Sequence, residues 1–240
     1  MASRRKVTLA IVAILAASVL AWLGWGRLVS LKRKTLHARR TVAQVAAEIG
    51  PAAVPRLKSA FQERGAVWPP QRVALLAFKE ERRLELWAAR SDRFAHARDY
   101  AILAASGRPG PKLREGDRQV PEGTYRIVSL NPNSRFHLSM ELNYPNESDV
   151  ARAKRDGRTN LGGEIFIHGG DVSIGCLAIG DRAIEELFFL VDAVGRDNVK
   201  VVIAPNDMRR NKRVPRDPAD PPWVNELYDD LCKELAAFGL

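Results

Sequence analysis

Residues 164–176 read Glu-Ile-Phe-Ile-His-Gly-Gly-Asp-Val-Ser-Ile-Gly-Cys. In the first five, Glu164, Phe166 and His168 fall on one side and Ile165 and Ile167 on the other, the two-residue period of a strand. A loop with three glycines follows, and it ends on Cys176. A strand that finishes on histidine and turns back through glycines can bring the imidazole within hydrogen-bond reach of the cysteine. An adjacent imidazole lowers a thiol pKa from about 8.5 and maintains a reactive thiolate. Gly175, with Gly169 and Gly170 in the same loop, lets backbone N–H groups approach a reacting carbonyl and hold its developing negative charge. Ser173 is placed to orient the imidazole through its backbone carbonyl. Cys176 is thus the candidate nucleophile and His168 the candidate proton donor and acceptor, with no metal or cofactor required. The plain alternative is a small buried thiol beside a hydrogen-bonded strand end.

Outward from this stretch, short strands recur about every ten residues. RVALLAFK (72–79), a charged KEERR turn and LELWAA (84–89) form a hairpin. DYAILAAS (99–106), Thr124–Leu130, HLSMELNYP (137–145) and VKVVIAP (199–205) supply further strands. A helix is expected with Asp181 as its cap and Ile184, Leu187, Phe188 and Val191 on its buried face. The expected fold is mostly β, a sandwich or barrel with one inserted helix, over residues 71–206. A C-terminal extension, 207–240, carries an amphipathic helix with Trp223, Leu227, Leu231 and Leu235. Residues 28–70 read as a helical juxtamembrane region: one piece holds Val42, Val45, Ala46 and Ile49, a second runs from Ala53 to about Arg64, and Trp68-Pro69-Pro70 ends the pattern.

Val7 to Gly26 is twenty residues without a charge. As a helix it spans roughly 30 Å, the thickness of a bilayer's hydrocarbon core. Basic residues flank both ends, and Trp22 and Trp25 fall at headgroup level. Residues 1–27 are therefore expected to anchor the chain in the inner membrane; a cleaved signal followed by secretion is the alternative. Six basic residues follow the span within Arg27–Arg40 and three precede it, a count that favours a cytoplasmic C-terminal side. Against that count, the domain at 71–206 is expected on the periplasmic side, as the resemblance described below implies.

Composition narrows the class further. With 240 residues, 46% hydrophobic and 28% charged, the chain can build one substantial domain. A mean hydropathy of −0.22 excludes a multi-span membrane protein. Two cysteines exclude a disulfide scaffold and a four-cysteine zinc site. The net charge of +10 suggests nucleic acid, but nine of the 38 basic residues lie in residues 1–40, where there is no acid. That leaves 29 basic residues against 28 acidic ones, so the body is nearly neutral and no nucleic-acid partner is expected.

His168-Gly169-Gly170-Asp171-Val172-Ser173-Ile174-Gly175-Cys176 resembles the signature of the L,D-transpeptidase catalytic domain of the YkuD type, in which a strand-ending His-Gly precedes Ser-x-Gly-Cys. The resemblance extends over roughly residues 72–206, through FKEERRLELW, SGRPGPKLREGDRQVPEGTYRI and SRFHLSMELNYPN, and is nearest the YafK-like subgroup. It implies that His168 is the general base, Cys176 the nucleophile and Ser173 the residue orienting His168. The implied substrate is peptidoglycan: the thiolate attacks a carbonyl adjacent to a D-centre of meso-diaminopimelate in a stem peptide, giving a thioester that an amine or water resolves. A murein-linked lipoprotein is a further partner implied by the subgroup, which is associated with cutting that link. Two departures stand out. Ala178 occupies the position where many members carry an arginine, and Gly170 stands where threonine is commoner. The competing function is a catalytically inactive, peptidoglycan-binding tether of the cell envelope.

Other residues have weaker claims. Cys232 reads as packing beside Leu231 and Leu235. A zinc site from His137, His168, Asp171 and Cys176 lacks recurrent spacing. Tyr144, Lys112 and Arg118 could meet an anionic substrate, and Asp207-Met208-Arg209-Arg210 could border the cleft.

Overall fold

Strand β1 (Arg72–Phe78) is buried at six of its seven positions, so RVALLAF reads as a continuous apolar run rather than an alternating one. Both of its faces are covered. Val73, Leu75 and Ala77 join a large core, while Ala74, Leu76 and Phe78 join a second cluster on the opposite face. The computed structural model describes residues 39–91, 93–210 and 220–239. The predicted span at 7–26 lies outside the described residues. Among those residues no helix is long and apolar enough to cross a membrane.

The remaining strands are β2 (Arg83–Ala89), β3 (Ala95–Ala101), β4 (Ala104–Ala105), β5 (Gly123–Ser134), β6 (His137–Leu142), β7 (Phe166–His168), β8 (Leu177–Ala178) and β9 (Val199–Ala204). Their order is β3-β2-β1-β9-β5-β6-β7-β8-β4. The first and last strands in that order are neighbours in sequence, joined only by Ile102 and Leu103. Such a link spans roughly 10 Å at most, so the sheet curls back on itself into an incomplete barrel. Ile102 N–H donates to Arg82 O (2.8 Å) and Leu103 N–H to Ala178 O (2.8 Å), which ties one edge to the other. The single strand expected over 99–106 is therefore broken in two, because the chain changes edge within it.

Among the described residues four α-helices pack around the sheet: α1 (Val42–Glu63), α2 (Glu147–Arg155), α3 (Asp181–Val194) and α4 (Val224–Leu235). In α1 the two expected pieces are one helix that runs through Pro51 and Pro55. Both prolines are exposed, whereas Val45, Ile49, Ala53, Leu57 and Phe61 form a buried stripe. An interior proline costs about 3 kcal/mol. Burying a large apolar side chain returns about 1.5–3 kcal/mol, so the stripe holds the helix together. Helix α3 packs against α1 and places Ile184, Leu187, Phe188 and Val191 in the same core. Its N-cap is Gly180 rather than Asp181, which is the first helical residue. Helix α2 makes a second inserted helix where one was expected. Asn146 and Asp149 form its capping box, but of its residues only Arg152 and Ala153 are buried, so it shows no apolar stripe.

Helix α4 covers the second cluster with Val224, Leu227, Leu231 and Leu235. A buried polar knot fixes it to the loop over 107–122. Glu122 accepts from Lys79 Nζ (3.0 Å), Tyr228 Oη (3.0 Å) and Gly110 N–H (2.8 Å). Desolvation pushes the Lys79 ammonium pKa down and the Tyr228 phenol up. This knot matters for function because the loop it anchors forms one wall of the cleft described next.

Candidate active site

β7 lies between β6, to which it runs antiparallel, and β8, to which it runs parallel, with His168 opposite Ala178 and Ile167 opposite Leu177. One residue back along this register puts Cys176 opposite Phe166. Side chains two apart on a strand share a face, so His168 and Cys176 project from the same face of the pair, diagonally across it. The intervening loop turns through Gly170 (φ +70°) and Gly175 (φ +85°), conformations that a side chain would strain.

His168 is buried, and its Nδ1 lies 2.7 Å from the carbonyl oxygen of Gly169. A carbonyl only accepts, so in the neutral ring Nδ1 carries the proton and Nε2 keeps its lone pair. The Phe136 ring stacks on the imidazole, centroids 4.6 Å apart. The orienting carbonyl is thus that of Gly169. Ser173 does something else: its hydroxyl accepts from Cys176 N–H (3.1 Å). This corrects the role expected of Ser173.

The expected anion cradle is also differently arranged. Gly169 N–H donates to Leu138 O (3.1 Å) and Gly170 N–H to Asp181 Oδ1 (2.8 Å), so both are structural clamps. Gly175 N–H donates to the Ser106 hydroxyl (2.6 Å), which in turn donates to Arg118 O (2.6 Å). Only the N–H groups of Gly175 and Cys176 are held by side-chain hydroxyls, which can rotate away. Those two can be released to a substrate oxygen when the hydroxyls turn aside; Gly169 N–H is tied to the sheet through Leu138 O, and Gly170 N–H to the first turn of α3 through Asp181. Ser106 and Phe136 had no signal in the sequence, because their roles come from strand pairing with distant segments.

Cys176 is half-buried, and its Sγ lies 3.7 Å from Glu164 O. No hydrogen bond joins thiol and imidazole directly among the described residues. Burial pushes the Cys176 thiol pKa up, against weaker opposing effects from Phe166 N–H and Lys112. Burial likewise pushes His168 down. The resting pair is therefore neutral, and the thiolate expected from an adjacent imidazole is not preformed. A neutral imidazole with a free Nε2 lone pair is the form that can take the thiol proton as the sulfur attacks.

A pH experiment follows from these directions. Alkylation of Cys176 by iodoacetamide, read on its own tryptic peptide, should climb with a midpoint above the ordinary thiol value of about 8.5. A plateau already reached at pH 7 would mean a thiolate–imidazolium pair instead. The linkage to stability has opposite signs at the two groups. Below pH 6.5 the unfolded chain binds more protons at His168 than the folded one, so stability there is lost as pH falls. Above pH 8.5 the unfolded chain loses the Cys176 proton first, so stability falls as pH rises.

Beside Gly175 opens a cleft of about 630 Å³, bounded by residues 112–118 on one wall and 159–165 on the other. Lys112 lines it, but its Nζ is held by Asp117 Oδ1 (2.6 Å) and Arg114 O (2.9 Å). Arg118 and Glu164 also line it and are exposed. Tyr144 is buried, donates to Leu161 O (3.2 Å) and is pushed up by desolvation, so it is not a substrate-facing group. Asp207 is buried and pairs with Arg83, Arg209 pairs with Glu85, and Arg209 and Arg210 border a different cleft beside Trp87, which corrects the expected position of this stretch. His137 pairs with Glu185 (3.0 Å) rather than with His168. Cys232 packs against the second cluster, 3.7 Å from Met208 Sδ.

Comparison with known proteins gives consistent matches. Residues 72–203 match the family model described as the L,D-transpeptidase catalytic domain, YkuD. YafK of Escherichia coli (strain K12), provisionally named an L,D-transpeptidase, is 35% identical over 150 residues. The match covers 58% of this chain and 58% of that relative, so the chain spans little more than half of the relative's length. Among solved structures, the helical cell shape determining protein Pgp2 of Campylobacter jejuni is 24% identical with a TM-score of 0.46, covering 56% of this chain and 48% of that one. Bd1075 of Bdellovibrio bacteriovorus is 21% identical with a TM-score of 0.42, covering 72% and 57%.

Proposed function

The chain belongs to the L,D-transpeptidase catalytic domain family, and on that footing we propose that it is a cysteine-dependent acyl-transfer enzyme acting on peptidoglycan stem peptides. The observation that carries the reading is the β7–β8 register. It supports a shared face for Cys176 and His168 on the β7–β8 pair, and Gly175, next to the cysteine, lines an open cleft.

Rotation about the Cys176 Cα–Cβ bond turns Sγ from Glu164 O toward His168. As sulfur attacks the peptide carbonyl, its proton passes to Nε2, and the new oxyanion replaces the Ser173 hydroxyl on Cys176 N–H. Gly175 N–H joins it once Ser106 turns aside. The imidazolium then protonates the leaving amine, the C–N bond breaks and a thioester remains. An amine that resolves it makes the reaction a transpeptidation. Water makes it hydrolysis, which for a murein-linked lipoprotein amounts to release by an amidase. The substrate belongs to the cell envelope, so the catalytic face works in the periplasm, with residues 7–26 as the inner-membrane anchor.

Intact-protein mass measurement after incubation with muropeptides tests this reading. The expected product is one acyl adduct per chain, mapped to the Cys176 peptide. An unmodified mass while stem peptides remain uncut would leave only the envelope tether.

A further inference from the structure

Four non-glycine residues among those described hold a left-handed backbone: Arg82, Arg118, His137 and Glu164. Two of them, Arg118 (φ 56°) and Glu164 (φ 54°), line the cleft beside the nucleophile, one on each wall. That conformation costs about 1–2 kcal/mol for a residue with a side chain, and strain of this kind tends to be kept where function holds it. The two carry opposite charges, and neither side chain makes a hydrogen bond or ion pair with another described residue. The contrast with Lys112 is direct, since its ammonium is already neutralised inside the protein.

Both backbones are fixed close to the sulfur. The Arg118 carbonyl is tied through the Ser106 hydroxyl to Gly175 N–H, and the Glu164 carbonyl faces Cys176 Sγ at 3.7 Å. Between the two walls Ile174 lines the cleft while 73% exposed, an apolar surface open to a substrate's methylenes. Ala178 is wholly buried in β8, so that position offers a substrate no cation.

We propose that Arg118 and Glu164 are specificity residues that together read the free amino-acid end of a diamino acid, Arg118 taking its carboxylate and Glu164 its ammonium while its methylenes cross Ile174. The pairing rests on the acyl-transfer reading above and adds to it a requirement for both charges in one substrate arm. A site with a lone cation would accept any carboxylate. An opposed pair rejects an arm whose amine or carboxylate is capped, because the cap leaves one charge of the pair unanswered.

Calorimetry with Cys176→Ala protein, which binds without turning over, tests this directly. The probes are three forms of a stem tripeptide ending in meso-diaminopimelate: free, amidated at the side-chain carboxylate, and acetylated at the side-chain amine. Each cap should weaken binding about ten-fold or more, the usual effect of losing a charge-assisted bond. Adding Arg118→Gln should abolish the discrimination against amidation alone, and adding Glu164→Gln the discrimination against acetylation alone. A merely structural role would lower affinity for all three forms together. Equal binding of the three forms, discrimination that survives both substitutions, or no binding at all would overturn the pairing. Thioester formation by the unsubstituted chain is read separately: its absence with discrimination intact removes the enzymatic reading and leaves the charge pair standing.

Discussion

Cys176→Ala removes thioester formation and lowers turnover of stem peptides by at least about 10³-fold, while the fold is unchanged. Loss of a covalent nucleophile eliminates the acyl-enzyme route itself, and what remains is binding and charge stabilisation, so effects of this size are usual. The fold survives because the sulfur carries little of it. The side chain is half-buried, and its polar neighbours are Glu164 O, at 3.7 Å, and the Phe166 N–H. The backbone N–H of residue 176 keeps its Ser173 partner in the variant. The stability change should stay within about 1 kcal/mol. Mass measurement for the adduct and a melting curve for the fold settle both halves. Undiminished turnover by Cys176→Ala would remove sulfur from the mechanism, and lost turnover with a collapsed melting transition would make the residue structural.

Much of the scaffold was legible in the chain because its signals are local. The His168–Cys176 loop, the hairpin of β1 and β2 and the apolar face of α3 each show in a window of ten or so residues. The barrel closure was only partly legible: a two-residue link between β3 and β4 is visible in the sequence, but that it joins opposite edges depends on the pairing of seven other strands. Helix α1 defeated the usual reading because two prolines in sequence outweigh, on local propensity, a stripe whose burial is a tertiary fact. Helix α2 failed in the opposite way. Its caps were present in Asn146 and Asp149, and its last turn carries Arg152, Lys154 and Arg155, but a helix with one buried apolar residue has no periodicity to find.

At the site, residue types were easier to assign than partners. A histidine's orienting acceptor can be any carbonyl that the local backbone presents, and here the next residue supplies it. The Gly175 and Cys176 N–H groups are met by serine hydroxyls, one from three residues away and one from sixty-nine residues away. Only the nearer pairing leaves a mark in the sequence. The neutral state of the Cys176–His168 pair is a consequence of burial, which spacing does not encode.

Gly169→Ala should be the most damaging small substitution near the site, with about 2–3 kcal/mol lost in stability and about 10²-fold in acyl transfer. An added Cβ would sit 2.6 Å from Asp181 Oδ1, 2.7 Å from the Phe136 carbonyl oxygen and 3.0 Å from Ile184 Cγ2. The carboxylate of Asp181 could swing aside, but only by releasing Gly170 N–H, which it holds at 2.8 Å. The Phe136 carbonyl is backbone and also accepts from Leu138 N–H (2.9 Å) at the start of β6, so it cannot move alone. Strain must therefore pass into the His168–Gly169 segment, whose carbonyl orients the imidazole, or into Phe136, whose ring stacks on it. Either displacement moves Nε2 relative to the sulfur, and a misplacement of about 1 Å at reacting atoms is enough for the stated loss. Gly239→Ala, with no atom within 4 Å of the added methyl, serves as the control that alanine itself is harmless. Gly169→Ala with the melting temperature and acyl-transfer rate of the unsubstituted chain would show that the contact between this loop, β6 and α3 is looser than the structure describes, and that the imidazole is positioned by something other than this clamp.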